Sequence, residues 1–259
     1  MSEFNLNGVT LNYQTFGDPA HPALVLSNSL GTNLTMWKSQ VDFFKKEFYV
    51  ICYDTRGHGA SSTPDGPYTV SQLGHHGVNL VDYLKVEKAS FCGISMGGLV
   101  GQWLAIHKAE RFNKIIVCNT AAKIGQAAAW LERAELVREQ GLSSIAATAA
   151  SRWFTEGFIK ENADVIASLS ADLAAGCNMG YANCCEALAT EDLRESIERI
   201  SIPLLVIAGL QDPVTTVEDG QFIVNKVLHS QLFEIDASHI SNIERSDTFN
   251  HKVYDFVIS

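Results

Sequence analysis

Short apolar runs recur along the chain: VTLNY (9–13), ALVLS (23–27), FYVICY (48–53), SFCGI (90–94), KIIVCN (114–119), PLLVIAG (203–209) and QLFEI (231–235). Most are rich in β-branched or aromatic residues and bounded by Gly, Pro, Asp or Asn, as strands are. Amphipathic stretches of helical length lie between several of them, at 71–84, 96–107 and 219–227. Continuous apolar strands alternating with helices predict a mostly parallel sheet covered by helices on both faces. The alternation breaks between 121 and about 200, where the chain is alanine-rich, helical in period and without a strand pattern. The expected organisation is therefore one α/β domain. Its core would comprise 1–120 and 201–259, with a helical lid inserted at 121–200.

The most informative phrase is FCGISMGGLVGQ, at 91–102. Gly93-Ile94-Ser95-Met96-Gly97 fits the G-x-S-x-G pattern, with a predicted strand before it and a predicted helix after it. A serine on so sharp a corner is strained, and side chains at 93 or 97 would collide with neighbouring elements. The helix that follows directs its first N–H groups towards any negative charge forming at the serine. A serine nucleophile needs a base, and His239 follows the strand QLFEI; the base needs an acid, and Asp212 stands just beyond PLLVIAG. All three lie at carboxyl ends of predicted strands, where open α/β sheets place their sites. Asp236 is a rival acid, but it shares the short loop of His239 and would have to fold back on it. The order Ser95, Asp212, His239 is that of the α/β hydrolases. The N–H groups of Met96 and of Leu30, in the loop NSLGTNLTMW, are the expected oxyanion donors.

These motifs resemble the α/β-hydrolase superfamily, and more closely the 3-oxoadipate enol-lactonases of aromatic-acid catabolism. YDTRGHGASS (53–62) is similar to the D-x-R-G-x-G-x-S loop of these enzymes, in which the Asp and Arg hold a turn. GISMGG, AGLQDPVTT and DASHISNIE resemble their nucleophile, acid and histidine loops, and SRWF and GYANCCEALATEDLR resemble their lid. One departure is Asn28-Ser29-Leu30-Gly31, where many relatives carry His-Gly-x-Pro. The resemblance implies hydrolysis of 3-oxoadipate enol-lactone, a small anionic lactone, through an acyl-enzyme and without metal or organic cofactor. The substrate's carboxylate then calls for a cation. Trp130 and Arg133, three apart on one helix face, would offer an indole wall and a bidentate guanidinium. Trp153 is a further wall candidate; the bland alternative is a solvated arginine beside tryptophans that pack the lid. Other readings are a carboxylesterase or C–C bond hydrolase with the same triad, or a non-catalytic receptor on this fold. Haloalkane dehalogenases and epoxide hydrolases differ in carrying an aspartate where Ser95 stands.

Composition narrows the partners. The formal charge of −10 over 259 residues, with no basic run, argues against a nucleic-acid surface. No apolar run reaches the ~20 residues of a membrane span. MSEFNLNGVT lacks the regions of a signal peptide. Six cysteines without CxxC or zinc-ligand spacing fit reduced thiols and a cytoplasmic enzyme. Vicinal Cys184 and Cys185 read as inert, and His58 as packing a turn. His75 and His76 read as surface or loop residues without a metal, because neighbours on a helix point apart. The sequence does not set the oligomeric state.

Overall fold

The computed structural model describes residues 2–6 and 8–259. Among these, eight strands form one sheet: β1 (Ser2–Leu6), β2 (Val9–Phe16), β3 (Ala23–Ser27), β4 (Tyr49–Tyr53), β5 (Ala89–Ile94), β6 (Phe112–Cys118), β7 (Leu204–Gly209) and β8 (Ser230–Ile235). Their spatial order is β1-β2-β4-β3-β5-β6-β7-β8. β1 pairs antiparallel with β2, and β2 with β4; every pairing from β4 to β8 is parallel. β3, β4, β5 and β7 bury every residue. Both faces of the sheet are therefore covered, which is why these strands read as continuous apolar runs. The apolar pattern does not mark β1. This edge strand buries only Phe4, opposite Leu11 of β2, and leaves too little apolar alternation to detect.

The helices before β6 are α1 (Lys38–Phe44), α2 (Val70–Tyr83) and α3 (Met96–His107). α2 starts on a capping box: Gln72 N–H donates to Thr69 Oγ1, and Thr69 N–H donates to Gln72 Oε1. α3 buries eleven of its twelve residues, Met96 to Ile106, between sheet and neighbours. It is apolar all round, as a central helix must be. The segment between β6 and β7 holds α4 (Ala127–Gln140), α5 (Ser143–Ala147), α6 (Ala150–Trp153), α7 (Glu156–Glu161), α8 (Ala163–Ala174) and α9 (Asn178–Thr190), and contains no strand. After it come α10 (Val217–Lys226), α11 (Ser241–Glu244) and α12 (Ser246–Ile258). No helix among the described residues is long and apolar enough to cross a membrane.

α9 meets the body at a contact that only glycine permits. A Cβ on Gly180 would lie 2.0 Å from the carbonyl oxygen of Gly57, which itself sits at φ +78°. By contrast Gly157, inside α7, has nothing within 4 Å of its would-be Cβ and no positive φ. Gly180→Ala should destabilise the protein by about 1–3 kcal/mol through overpacking. Gly157→Ala should stabilise it by about 0.4–1 kcal/mol by restricting the unfolded chain. Urea unfolding midpoints check both signs.

Candidate active site

β5 ends at Ile94 and α3 begins at Met96, leaving Ser95 alone on the corner with φ 55° and ψ −115°. Backbone hydrogen bonds hold it in that unfavourable conformation. Ser95 N–H donates to Cys118 C=O of β6 (2.9 Å), while Ser95 C=O accepts from Thr120 Oγ1 (2.8 Å) and Leu99 N–H (2.9 Å). The flanking glycines are obligatory. A Cβ on Gly93 would stand 2.2 Å from Gly97 C=O, and one on Gly97 would stand 2.3 Å from Ser27 C=O.

The loop after β3 is pinned on both sides of Leu30. Asn28 donates through Nδ2 to Tyr53 C=O (3.0 Å) and accepts from Trp37 Nε1 (2.8 Å). Its own C=O accepts from Gly97 N–H (3.1 Å), tying this loop to the elbow. On the far side Gly31 N–H donates to Nε2 of buried His58 (2.9 Å). His58 thus packs a turn, and that turn orients the peptide next to Leu30. Asp54 holds the same region, accepting from Leu34 N–H (2.8 Å), Ala60 N–H (2.9 Å) and Asn12 Nδ2 (2.7 Å). The Leu30 and Met96 N–H groups are engaged by no protein acceptor among the described residues.

Asp212 and His239 meet in the interior. His239 Nδ1 lies 2.8 Å from Asp212 Oδ2. The carboxylate also accepts from Thr215 Oγ1 (2.9 Å), Asn119 Nδ2 (3.1 Å), Val214 N–H (2.8 Å) and Thr215 N–H (3.1 Å). Burial pushes the Asp212 pKa up. The His239 hydrogen bond and charge, with the two backbone donors, outweigh it and bring the pKa below the ordinary carboxylate value. An ionised Asp212 only accepts, so the His239 proton sits on Nδ1 and the lone pair on Nε2. The rival acid is elsewhere: exposed Asp236 accepts from Gln211 Nε2 (2.9 Å) and lies 3.7 Å from Arg245.

Ser95 and His239 line one cavity of about 270 Å³, together with Leu30 below and Trp130, Arg133 and Trp153 above. Trp130 donates to Ile124 C=O (2.6 Å), and the Arg133 guanidinium lies 4.9 Å from its ring. Two functional candidates escape the sequence reading. Arg152, beside Trp153 in SRWF, also faces the cavity and is held by Thr148 Oγ1 (2.7 Å) and Ile145 C=O (3.1 Å). Burial, then the charge of Arg133, lower its pKa. Asn119, at φ 45° just past β6, joins three loops. Besides Asp212 it donates to Ser238 C=O (3.0 Å) and accepts from Ser241 Oγ (2.6 Å). An asparagine closing KIIVCN, directly past the strand's carboxyl end, was the available signal.

The remaining chemistry-bearing residues fall away from this cavity. His75 is exposed on α2, but His76 is buried rather than at the surface, which corrects the sequence expectation. Burial, then Arg56 and His75, push its pKa down to about 4. Among the described residues no His/Cys/Asp/Glu group suits a metal. Cys184 and Cys185 are buried in α9, where desolvation raises both thiols, Cys185 to about 12.

This nucleophile corner, acid loop and histidine loop on a mostly parallel sheet define an α/β hydrolase. Residues 22–246 match the family described as alpha/beta hydrolase fold, and the chain belongs to it. 3-Oxoadipate enol-lactonase 2 of Acinetobacter baylyi is 62% identical over 95% of this chain and 92% of its own length. 3-Oxoadipate enol-lactonase 1 of the same organism is 45% identical over 98% and 96%. The crystal structure of the enol-lactonase from Burkholderia xenovorans LB400 covers the whole of both chains, with a TM-score of 0.98 at 42% identity.

Buried, neutral histidines make stability depend on pH. The unfolded chain takes up protons below about pH 6.5, whereas burial holds His58 and His76 neutral in the fold. Their stabilising effect is complete above about pH 6.5 and is lost as pH falls below it, for His76 down to about 4, at up to about 1.4 kcal/mol per pH unit for each. Urea titrations between about pH 7 and pH 4.5 should show this slope, and His76→Leu should reduce it. A flat profile would contradict it.

Proposed function

We propose that this chain opens the ring of 3-oxoadipate enol-lactone, with Ser95 as nucleophile, His239 as general base and acid, and Asp212 as the partner of His239. The observation that carries the reading is the composition of one cavity. Ser95 and His239 lie on its floor, the guanidinium groups of Arg133 and Arg152 on its walls, and no Asp or Glu lines it. In a chain of net charge −10, two unopposed cations over a nucleophile fit a small anionic ester. The similarity to two enol-lactonases over nearly the full length supports the lactone in particular.

His239 Nε2 takes the Ser95 proton as Oγ attacks the lactone carbonyl. The carbonyl oxygen becomes an oxyanion that accepts from Leu30 and Met96 N–H, donors already oriented and unpaired. Collapse breaks the ring C–O bond, and the imidazolium protonates the departing enol oxygen, which stays tethered as part of the acyl chain. The enol tautomerises to the ketone. Water, deprotonated by His239, then attacks the acyl-enzyme and releases 3-oxoadipate and free Ser95. Throughout, the substrate carboxylate rests against Arg133 and Arg152, with the indoles of Trp130 and Trp153 closing the cavity. Six unpaired cysteines fit a reducing compartment, and we place the enzyme in the cytoplasm.

Following the ultraviolet absorbance of the enol-lactone tests this directly. Ser95→Ala should lower kcat by about a millionfold. Arg133→Ala and Arg152→Ala should each lower kcat/KM for the lactone, relative to a neutral ester, by roughly one to two orders of magnitude. That is the loss of a charge-assisted contact worth about 1.5–3 kcal/mol. Ester cleavage without lactone turnover would leave the triad standing and remove the substrate.

A further inference from the structure

Glu244, at the end of α11, is a buried carboxylate that the hydrolytic steps do not use; it is 5% exposed. Its two oxygens face different parts of the molecule. Oε2 accepts the N–H of Ser238 (2.9 Å), the residue before His239. Oε1 accepts the N–H (3.3 Å) and the hydroxyl of Thr155, between α6 and α7 of the lid. A second bond joins the same segments, Ile240 N–H donating to Trp153 C=O (2.9 Å). Both neighbours of His239 are thus fastened to the lid, one directly and one through Glu244. The lid residues they reach follow Arg152 and include Trp153, both of which line the cavity.

The clamp sits where the lid is otherwise thinly held. Beyond Thr155, α7 buries no residue and α8 buries only Leu173. α4 and α9, in contrast, pack on each other and tie through Arg138 to Glu186 (2.8 Å) and Asn183 (2.9 Å). A buried carboxylate accepting three hydrogen bonds is a strong fixed point, because each bond to an ionised acceptor is roughly twice as strong as a neutral one.

We infer that Glu244 is a positioning residue that couples the seating of the lid wall at Trp153 and Thr155 to the orientation of His239. The inference rests on the reading of His239 as the base. Thr155 touches neither nucleophile nor acid, yet its hydroxyl shares a carboxylate with the peptide that carries the base. Displacing the lid at this point moves His239, so that a substrate settled against Arg152 and Trp153 steadies the base that acts on it.

p-Nitrophenyl acetate isolates the effect, since its acyl group offers the lid arginines no charge. Thr155→Val should lower kcat about tenfold, inside the roughly hundredfold loss that a 1 Å misplacement causes, with KM changed less than about twofold. Thr155→Ser, which keeps the hydroxyl, should restore kcat. The double variant Thr155→Val/Glu244→Gln should be no slower than Glu244→Gln alone, because both changes break one linkage. A Thr155→Val enzyme at wild-type kcat, or a double variant showing the product of the two single losses, would overturn the coupling. So would a loss of kcat that merely follows the unfolded fraction seen by circular dichroism. Wild-type turnover by Ser95→Ala would instead overturn the triad reading beneath it.

Discussion

The site depends on one negative charge kept ionised in the interior. Asp212 is buried, and burial alone would favour its neutral form. The His239 hydrogen bond and charge, with two backbone N–H groups, reverse that preference, and the Thr215 hydroxyl and Asn119 amide complete a set of five donors. The donors come from the acid loop, from the end of β6 and from the histidine loop. The requirement to stabilise one carboxylate therefore draws the ends of β6, β7 and β8 to one point. The same constraint sets the tautomer of His239 and, through it, which ring nitrogen keeps a free lone pair.

A second constraint acts on the other side of the cavity, where Ser95 occupies backbone angles that a non-glycine residue resists. Hydrogen bonds to β6 and to Thr120 hold it there, and Gly97 links it to the loop that carries Leu30. Ser95 and the unpaired N–H groups of Leu30 and Met96 are thereby parts of one packed unit. This side of the cavity is built from backbone geometry that the sheet enforces. The two arginines of the cavity, Arg133 and Arg152, instead stand on the helices between β6 and β7.

What was legible in the sequence follows this division. β3, β4, β5, β7 and the helix after Ser95 carried strong signals, because burial all round leaves little room for polar residues. Ser95 and Asp212 stood out because each follows such a strand, and His239 because it follows the shorter apolar run of β8. β1 was not visible: an edge strand that buries only Phe4 has no period to detect. Arg152 was hidden in an alanine-rich segment whose packing nothing in the local pattern specifies. Asn119 and Glu244 were hidden for another reason. Their partners are 93 and 89 residues away, at Asp212 and Thr155, and only tertiary structure brings such groups together. His76 was misplaced because a histidine that loses its charge on burial looks, in sequence, like any polar residue.

The charge on Asp212 is the claim from which the rest follows, and the most direct measurement is the rate at which a fluorophosphonate labels Ser95 in Asp212→Asn and Asp236→Asn. Replacing the acid by its amide keeps the shape, removes the charge and favours the wrong tautomer of His239. Asp212→Asn should label about ten-thousandfold more slowly than wild type, with Asp236→Asn unchanged. Wild-type labelling by Asp212→Asn, with the loss appearing in Asp236→Asn instead, would contradict it.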